Sequence, residues 1–516
     1  MIHDFRRAPP AQIDTDLCIV GGGMAGIALA HRLAGRRLDI CVLESGDDAF
    51  DRDTQSLYAG DITGLPYFDP TTTRLRHFGG SSNHWTGQTG VLEPHDMAPR
   101  AWVPGPAWPI SHAALAPWYA PAARLLRFQG EGYAPAPLFR SIGLPASPFA
   151  GDALQVHIWR HSDPPMRFAA AYGPHLAAAP NIRVMLGANV ADIATTENAS
   201  HVTGLEIRSL AGHRAIVRAR AYVLACGGIE NPRLLLNATT TQKMGLGNAH
   251  DQVGRHFMEH PNVPVGRLAP ADLAGLYPYV VRSPRVHQQT DWRGAVSLSP
   301  AVRTREQALG ATLKLDLPRV GVLGGTGPGH AATHPGAFAA NLWRRYVDGL
   351  VPTPRALPML DLVMELEQAP DPDSRITLTA ERDAIGLRQP ALHWRLGALE
   401  KRTARLLAAE VARAFGRQGW GRLQPAPWLA TPDDTPLNGT WPDDLEGAHH
   451  HMGTTRMSDD PRHGVVNPDG RLHGTDNLYI AGCSVFPTGG YVNPSLTILA
   501  LTLRLAEHLA DVLEKT

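Results

Sequence analysis

Lysine is scarce in this chain of 516 residues: Lys243, Lys314, Lys401 and Lys515 are the whole supply, so Schiff-base and P-loop chemistry have few carriers. Cysteine is as scarce, with Cys18, Cys41, Cys226 and Cys483. None of the four lies in CxxC or CxxCH, which leaves no zinc knuckle and no c-type haem attachment on this chain. Cys18 and Cys41 sit in apolar runs and read as buried thiols, the usage of a reducing compartment. No stretch approaches the ~18–20 apolar residues that span a bilayer. The opening MIHDFRRAPPAQIDTD has an Arg pair but lacks the apolar stretch of an export signal. Net charge is absent too, since Lys+Arg and Asp+Glu both total 48. A neutral chain has no global field for phosphate backbones, so nucleic acid is not an expected partner. These absences point to a soluble, cytoplasmic protein without a membrane span.

What is present is enough to fold. Apolar residues make up 43% and charged residues 19%, which excludes wholesale disorder. At ~100–200 residues per domain, the length suggests two or three domains. The 51 glycines and 44 prolines are scattered, indicating many loops rather than a low-complexity tract.

Residues 16–46 read DLCIVGGGMAGIALAHRLAGRRLDICVLESG. Leu17 to Val20 suit a strand buried on both faces. Gly21, Gly23 and Gly26 then form GxGxxG, Ala25 to Leu33 have helical spacing, and Ile40 to Leu43 form a second buried strand ending at Glu44. This is the βαβ dinucleotide fingerprint in its proper context. Gly21 permits the tight turn, Gly23 lets backbone approach a pyrophosphate, and Gly26 lets helix and strand pack closely. The helix N-terminus presents partial positive charge to the pyrophosphate. Glu44, 18 residues past Gly26, is placed to accept hydrogen bonds from a ribose and argues against a 2′-phosphate. The fingerprint alone does not separate FAD from NAD.

Two later segments bear on that choice. AYVLACGGIENPRLLL at 221–236 reads as strand, small-residue turn and helix start; NLYIAGCSVFPTGGY at 477–491 reads as a strand followed by a Gly/Pro-rich loop. Strands returning so late imply a discontinuous nucleotide domain around an extended ligand, which suits FAD better than NAD.

These pieces in this order resemble the glucose–methanol–choline (GMC) oxidoreductases, FAD-dependent alcohol- and sugar-oxidising enzymes. The resemblance runs end to end. It is carried by the fingerprint, HFGGSSNHWTG at 77–87, VGRHFMEHP at 253–261, HHHMGTTRM at 449–457 and the terminal DNLYIAGCSVFPTGGYVNPSLTILALTLRLAEHL. The chain is most similar to the subgroup of pyranose oxidases and the FAD subunits of gluconate and fructose dehydrogenases, through GGSSNHW, WPI at 108–110 with LAPWYAPA, and the HxMG form of the histidine motif. The resemblance implies an α/β (α+β overall) fold. A Rossmann-like FAD-binding domain would come from residues 1–120, 181–261 and 441–516. A substrate domain with a mainly antiparallel sheet and flanking helices would come from 121–180 and 262–440. AVSLSP, ATLKLDL, LDLVMELEQ and SRITLTAE alternate as such a sheet should, and LEKRTARLLAAEVARAFGRQG has helical spacing.

Oxidising an alcohol at a flavin requires loss of the hydroxyl proton and hydride transfer to flavin N5; the flavin supplies the redox chemistry and the protein supplies base and orientation. Neutral histidine is the usual base near pH 7. The resemblance places the catalytic histidine first in HxxGT, at His450, and its partner at Asn493 in VNPSLTI. Asn493 suits the N-cap and Pro494 the first turn of the last helix. The triplet His449–His451 also raises a metal site, but adjacent side chains diverge and no carboxylate or cysteine sits at ligand spacing, so no metal is expected.

Of the flavin-holding residues, the resemblance implies Gly79 and Gly80 for close backbone approach, and Ser81, Ser82 and Asn83 for hydrogen bonds to phosphate or ring edges. His84 falls where some pyranose oxidases attach FAD covalently; that link is not the favoured reading here. Val190, in IRVMLGANVADI read as a strand, would offer backbone to the adenine, and Gly482 lies in the terminal block. Phe68 to Arg76 reads first as solvated loop residues; the alternative is an entry lid in which Arg74 or Arg76 meets a polar substrate. Residues 316–338 read as a loop over the site or an interface segment. The expected reaction is oxidation of a CH–OH group, a secondary hydroxyl of a sugar, glycoside or polyol, to a carbonyl. The alternatives are a lyase with a spectator flavin and a non-sugar alcohol substrate. Oxygen, a quinone or another acceptor remain open as the oxidant, and the residues carry no sign of oligomeric state.

Overall fold

The computed structural model describes residues 1–7, 10–128, 132–141, 143, 153–162, 164–271, 276–280, 292–316, 359–431 and 441–515. The loop expected over 316–338 lies outside them except for Asp316. Three sheets organise these residues. The first has eight strands, running Ile2–Asp4, Ile182–Leu186, Ile40–Leu43, Gln12–Val20, Arg214–Leu224, Val202–Arg208 and Asn189–Thr195. Leu478–Ile480 joins it beside the C-terminal half of Arg214–Leu224. The strands from Ile2 to Arg214–Leu224 pair in parallel, and the last two turn antiparallel.

Leu17, Cys18, Ile19, Ile40, Cys41 and Val42 are fully buried, with helix Met24–Leu33 packed against both of their strands. Cys18 and Cys41 face each other in register as free thiols, as expected from their apolar runs. Helix Met24–Leu33 packs with helix Ser495–Glu514, so the first and last helices of the chain share one core. Residues 182–193 form two strands rather than one: Gly187 takes φ +71, and the chain leaves the parallel sheet there to pair with Val202–Arg208.

The second sheet has seven strands, all antiparallel: Gly421–Pro425, Asn262–Pro270, Leu360–Leu366, Ala311–Asp316, Trp292–Leu298, Leu154–His161 and Gln88–Thr89. Period-two alternation gives it two faces. Leu360, Leu362, Met364 and Leu366, with Leu313 and Leu315 beside them, are fully buried in the core that also holds Leu407, Val411 and Phe415 of helix Ala398–Arg417. Lys314 and Glu365 therefore stand on the opposite face. The stretch SRITLTAE is not part of this sheet; Arg375–Arg382 belongs to a third one, with Arg388–His393 and Asp61–Ile62. Among the described residues no helix is long and apolar enough to cross a membrane.

Candidate functional site

One cavity of about 640 Å³ runs from the fingerprint to the face of the seven-stranded sheet. At its first end, strand Gln12–Val20 delivers Gly21 and strand Ile40–Leu43 delivers Glu44. Gly21 has φ +107, and a Cβ there would meet Ala225 O at 2.6 Å; a Cβ on Gly26 would lie 1.9 Å from Gly21 O. Gly26 thus sets helix-to-strand packing and does not line the cavity. The Glu44 carboxylate lines it and also braces the turn, accepting from Gly22 N at 2.9 Å and Gly46 N at 2.7 Å. Val190, Gly80, Ser81, Ser82, His84 and Gly482 line the same space.

Gly79 and Asn83 lie behind that wall. Gly79 starts the turn Gly80–Asn83 with φ +97, and Asn83 spends its amide on Phe78 O at 2.9 Å. His84 is held below the usual histidine range, chiefly by burial.

Arg74 and Arg76 are not solvated. Both line the cavity, stack over Tyr58 at 4.0 and 4.7 Å, and reach Glu230 at 3.4 and 3.2 Å. Arg233 completes the cluster at 3.0 Å. Burial alone would raise the Glu230 pKa, but the three guanidiniums outweigh it and hold the carboxyl at about 2. A buried carboxylate with three arginine partners explains why this segment packs inward. Within the 68–76 segment, Phe68 meets His449 at 4.3 Å and Thr73 is buried, whereas Asp69 and Thr72 are exposed; just before it, the Tyr67 hydroxyl donates to Glu259.

At the other end the three consecutive histidines diverge. Glu259, fully buried, clamps their backbone by accepting from Ala448 N at 3.0 Å and His450 N at 2.9 Å. His451 turns to the Tyr67 hydroxyl at 3.0 Å. His450 turns into the cavity, where its Nε2 meets Asn493 Nδ2 at 3.2 Å. Gln88 donates to Asn493 Oδ1 at 3.0 Å and fixes the amide. With its amide engaged sideways, Asn493 does not cap the last helix; Pro494 takes the capping position and the helix runs Ser495–Glu514, with Ser495 and Ile498 on the cavity.

Behind His450 stands His260, Nδ1 to Nδ1 at 2.9 Å. Glu365 Oε1 lies 3.6 Å from His260 Nδ1 and 3.9 Å from His450 Nδ1, and its other oxygen pairs with Lys314 at 2.5 Å. Burial pushes both histidines below their ordinary range, and for His450 the neighbouring His260 and Lys314 push the same way. A neutral imidazole beside a fixed amide can take a proton from a bound hydroxyl. His260, Glu365 and His450 also bring three potential ligand atoms within 4.8 Å, a grouping that chain spacing does not reveal. Lys314, bound to the same carboxylate, puts a positive charge against any cation there.

His260, Glu365, Lys314, Glu259 and Gln88 are absent from the residues expected from sequence. They come from four separate segments: Glu259 and His260 are adjacent in VGRHFMEHP, and Gln88, Lys314 and Glu365 lie on three different strands.

Residues 169–262 and 370–502 match the two family models described as GMC oxidoreductase, and residues 19–52 match a NAD(P)-binding Rossmann-like domain. The chain belongs to the GMC oxidoreductases. It is thus an FAD-dependent oxidoreductase acting on CH–OH donors. It is 26% identical to 6'''-hydroxyparomomycin C oxidase of Streptomyces lividus, over 96% of this chain and 92% of that one. It is 25% identical to the fructose dehydrogenase large subunit of Gluconobacter japonicus, over 59% and 49%. Pyridoxine 4-oxidase from Mesorbium loti has the same fold, with TM-score 0.58 at 19% identity, covering 96% of this chain and 98% of that one.

The cavity fits FAD, the cofactor of this family. A Cβ built on Gly23, Gly227 or Gly482 meets nothing within 4 Å, so three backbone segments on the cavity wall present open faces to a ligand.

Proposed function

We propose that this GMC oxidoreductase converts a secondary hydroxyl of a sugar, glycoside or polyol to a carbonyl, with His450 as base and Asn493 as the residue that orients the substrate oxygen. The observation that carries this reading is the His450 Nε2–Asn493 Nδ2 pair, 3.2 Å apart on the wall of the same cavity that the fingerprint opens. FAD, when bound, supplies the two-electron acceptor for the hydride lost from the carbinol carbon. Gly21, Gly23, Glu44, Gly80, Ser81, Ser82, Val190 and Gly482 are the residues proposed to hold it. His84 is proposed to pack beside it without a covalent bond.

The chain's own residues handle the proton. A substrate hydroxyl accepting from the Asn493 amide lies within reach of the His450 lone pair. As the O–H bond breaks, His450 gains the proton and becomes an imidazolium 3.9 Å from the Glu365 carboxylate. Desolvation of His450 keeps it neutral before that moment, so it is ready to accept across the neutral pH range. The two sequence relatives named above act, by their names, on 6'''-hydroxyparomomycin C and on fructose, and this supports a polyhydroxylated substrate here.

The test is anaerobic flavin bleaching against a panel of sugars, glycosides and simple alcohols, in the wild type and in His450→Ala. Bleaching by polyols is expected, and the variant should retain flavin while losing about 10²–10⁴-fold in reduction rate, the usual worth of a general base. Undiminished reduction in His450→Ala would remove His450 as the base; bleaching only by simple alcohols would remove the polyol assignment.

A further inference from the structure

We propose that His260 is a positioning residue that fixes the tautomer of His450, holding the Nε2 lone pair of the base toward Asn493 and the substrate. This deepens the reading of His450 as base and rests on it.

A backbone carbonyl oxygen has an unambiguous role in a hydrogen bond. His260 Nε2 lies 3.0 Å from Gly490 O. A carbonyl oxygen only accepts, so His260 carries its proton on Nε2. A neutral His260 then has its lone pair on Nδ1. That lone pair faces His450 Nδ1 at 2.9 Å, so His450 must carry its own proton on Nδ1 and donate it. The Nε2 of His450 is left as the acceptor. Asn493 Nδ2 points at it from 3.2 Å, the partner such an acceptor requires.

The opposite tautomer of His450 fails twice. It would set two lone pairs against each other across 2.9 Å and two N–H groups against each other across 3.2 Å. The first mismatch falls on the fully buried His260 ring, where no water relieves it.

The surroundings keep His260 neutral and in place. Its side chain is fully buried, and desolvation holds its pKa down against the pull of Glu365 and Glu367. The charged and titratable groups around the two rings are Glu365 and Lys314 from the seven-stranded sheet, Glu367 beyond that strand, Glu259 on the His260 backbone, and His449 and His451 beside His450. Glu365 and Lys314 neutralise each other at 2.5 Å. Only glycine fits where this carbonyl is presented, because Gly490 adopts φ +57 and a Cβ there would strike Leu92 at 2.5 Å.

The test begins with a direct reading of the tautomer. In protein labelled with ¹⁵N-histidine, the His450 signals, assigned by their loss in His450→Ala, should show a pyrrole-type Nδ1 and a pyridine-type Nε2, with or without bound flavin. A pyrrole-type Nε2 in the wild type would overturn the proposal, and this reading needs no His260 variant to fold. Two variants then separate positioning from support. His260→Leu removes the acceptor; the other tautomer of His450 should appear, and flavin reduction should slow by at least about 10²-fold, within the ~10⁴-fold known for a wrongly set catalytic histidine. His260→Asn keeps an oxygen near the Nδ1 position and should restore the rate to within about tenfold of wild type. An unchanged tautomer and rate in His260→Leu would refute the role of His260 even if His450→Ala remains inactive. Full activity in His450→Ala would instead refute the base assignment and leave the tautomer measurement standing.

Discussion

Glu365 and Lys314 should tune the base in opposite directions, and the size of the effect follows from the distances. When His450 becomes an imidazolium, its Nδ1 stands 3.9 Å from Glu365 Oε1. Two unit charges at that separation attract by about 4 kcal/mol at an effective dielectric near 20, about three decades in rate. Lys314, 2.5 Å from the other carboxylate oxygen, offsets part of that attraction. Replacing Glu365 by Gln should therefore slow anaerobic flavin reduction by about 10²-fold rather than the full three decades. It leaves Lys314 as the nearest charge, so the imidazolium becomes harder to form and the acid limb of the pH–rate profile moves to lower pH. Lys314→Met does the reverse: the carboxylate is no longer offset, the imidazolium is favoured, and the acid limb moves to higher pH. Stopped-flow reduction, followed from neutral pH down through the acid limb of each variant, reads both limiting rates and both limbs. A general loss of packing would lower the two rates without moving the limbs apart. Limbs that stay put, or move the same way in both variants, refute the electrostatic coupling.

Other perturbations test the walls of the cavity. Glu230 is held at about 2 against an ordinary 4.5, corresponding to about 3 kcal/mol of stability. Because the folded value is the lower one, that contribution is fully present above pH 4.5 and drains away as pH falls toward 2. Glu230→Gln should thus lower the denaturant midpoint at pH 7, and the gap from wild type should narrow on going from pH 6 to pH 3; a gap independent of pH would contradict the arginine cluster as its source. Gly26→Ala places a methyl 1.9 Å from Gly21 O, so helix and fingerprint must separate. Flavin content and melting temperature should both fall, with a cost of about 1–3 kcal/mol from overpacking, and retention of both would contradict the packing role of Gly26. Acid precipitation should release all the flavin into the supernatant; flavin left on the protein, and lost in His84→Ala, would establish a covalent bond at His84 instead.

The legible parts of this protein are those whose chemistry is local along the chain. Turn, helix and terminal acid lie within one βαβ unit, so Gly21 to Glu44 announce their arrangement; His450 and Asn493 lie in two of the motifs through which the chain resembles its family. Lys314 and Glu365 carry no such mark. Their strands, Ala311–Asp316 and Leu360–Leu366, meet only through antiparallel pairing, in which Thr312 stands opposite Glu365 and Lys314 opposite Val363. Alternation does say that Lys314 lies on the face opposite Leu313 and Leu315, but not what that face looks at. A lysine counted as an exclusion thus becomes a charge beside the base.

Adjacent residues carry the same lesson at a finer scale. Divergence of neighbouring side chains argues against a metal held by His449–His451, and it also explains how one short segment does three jobs: His449 stacks on Phe68, His450 faces Asn493, and His451 bonds Tyr67. In Glu259–His260 the divergence assigns the carboxylate to the backbone of the histidine segment and the imidazole to its working ring. Moving His449–His451 by one residue would exchange those partners, turning toward Asn493 a ring now committed to Tyr67 or Phe68. The spacing between the two motifs is therefore immaterial to the site, whereas the register within each is not.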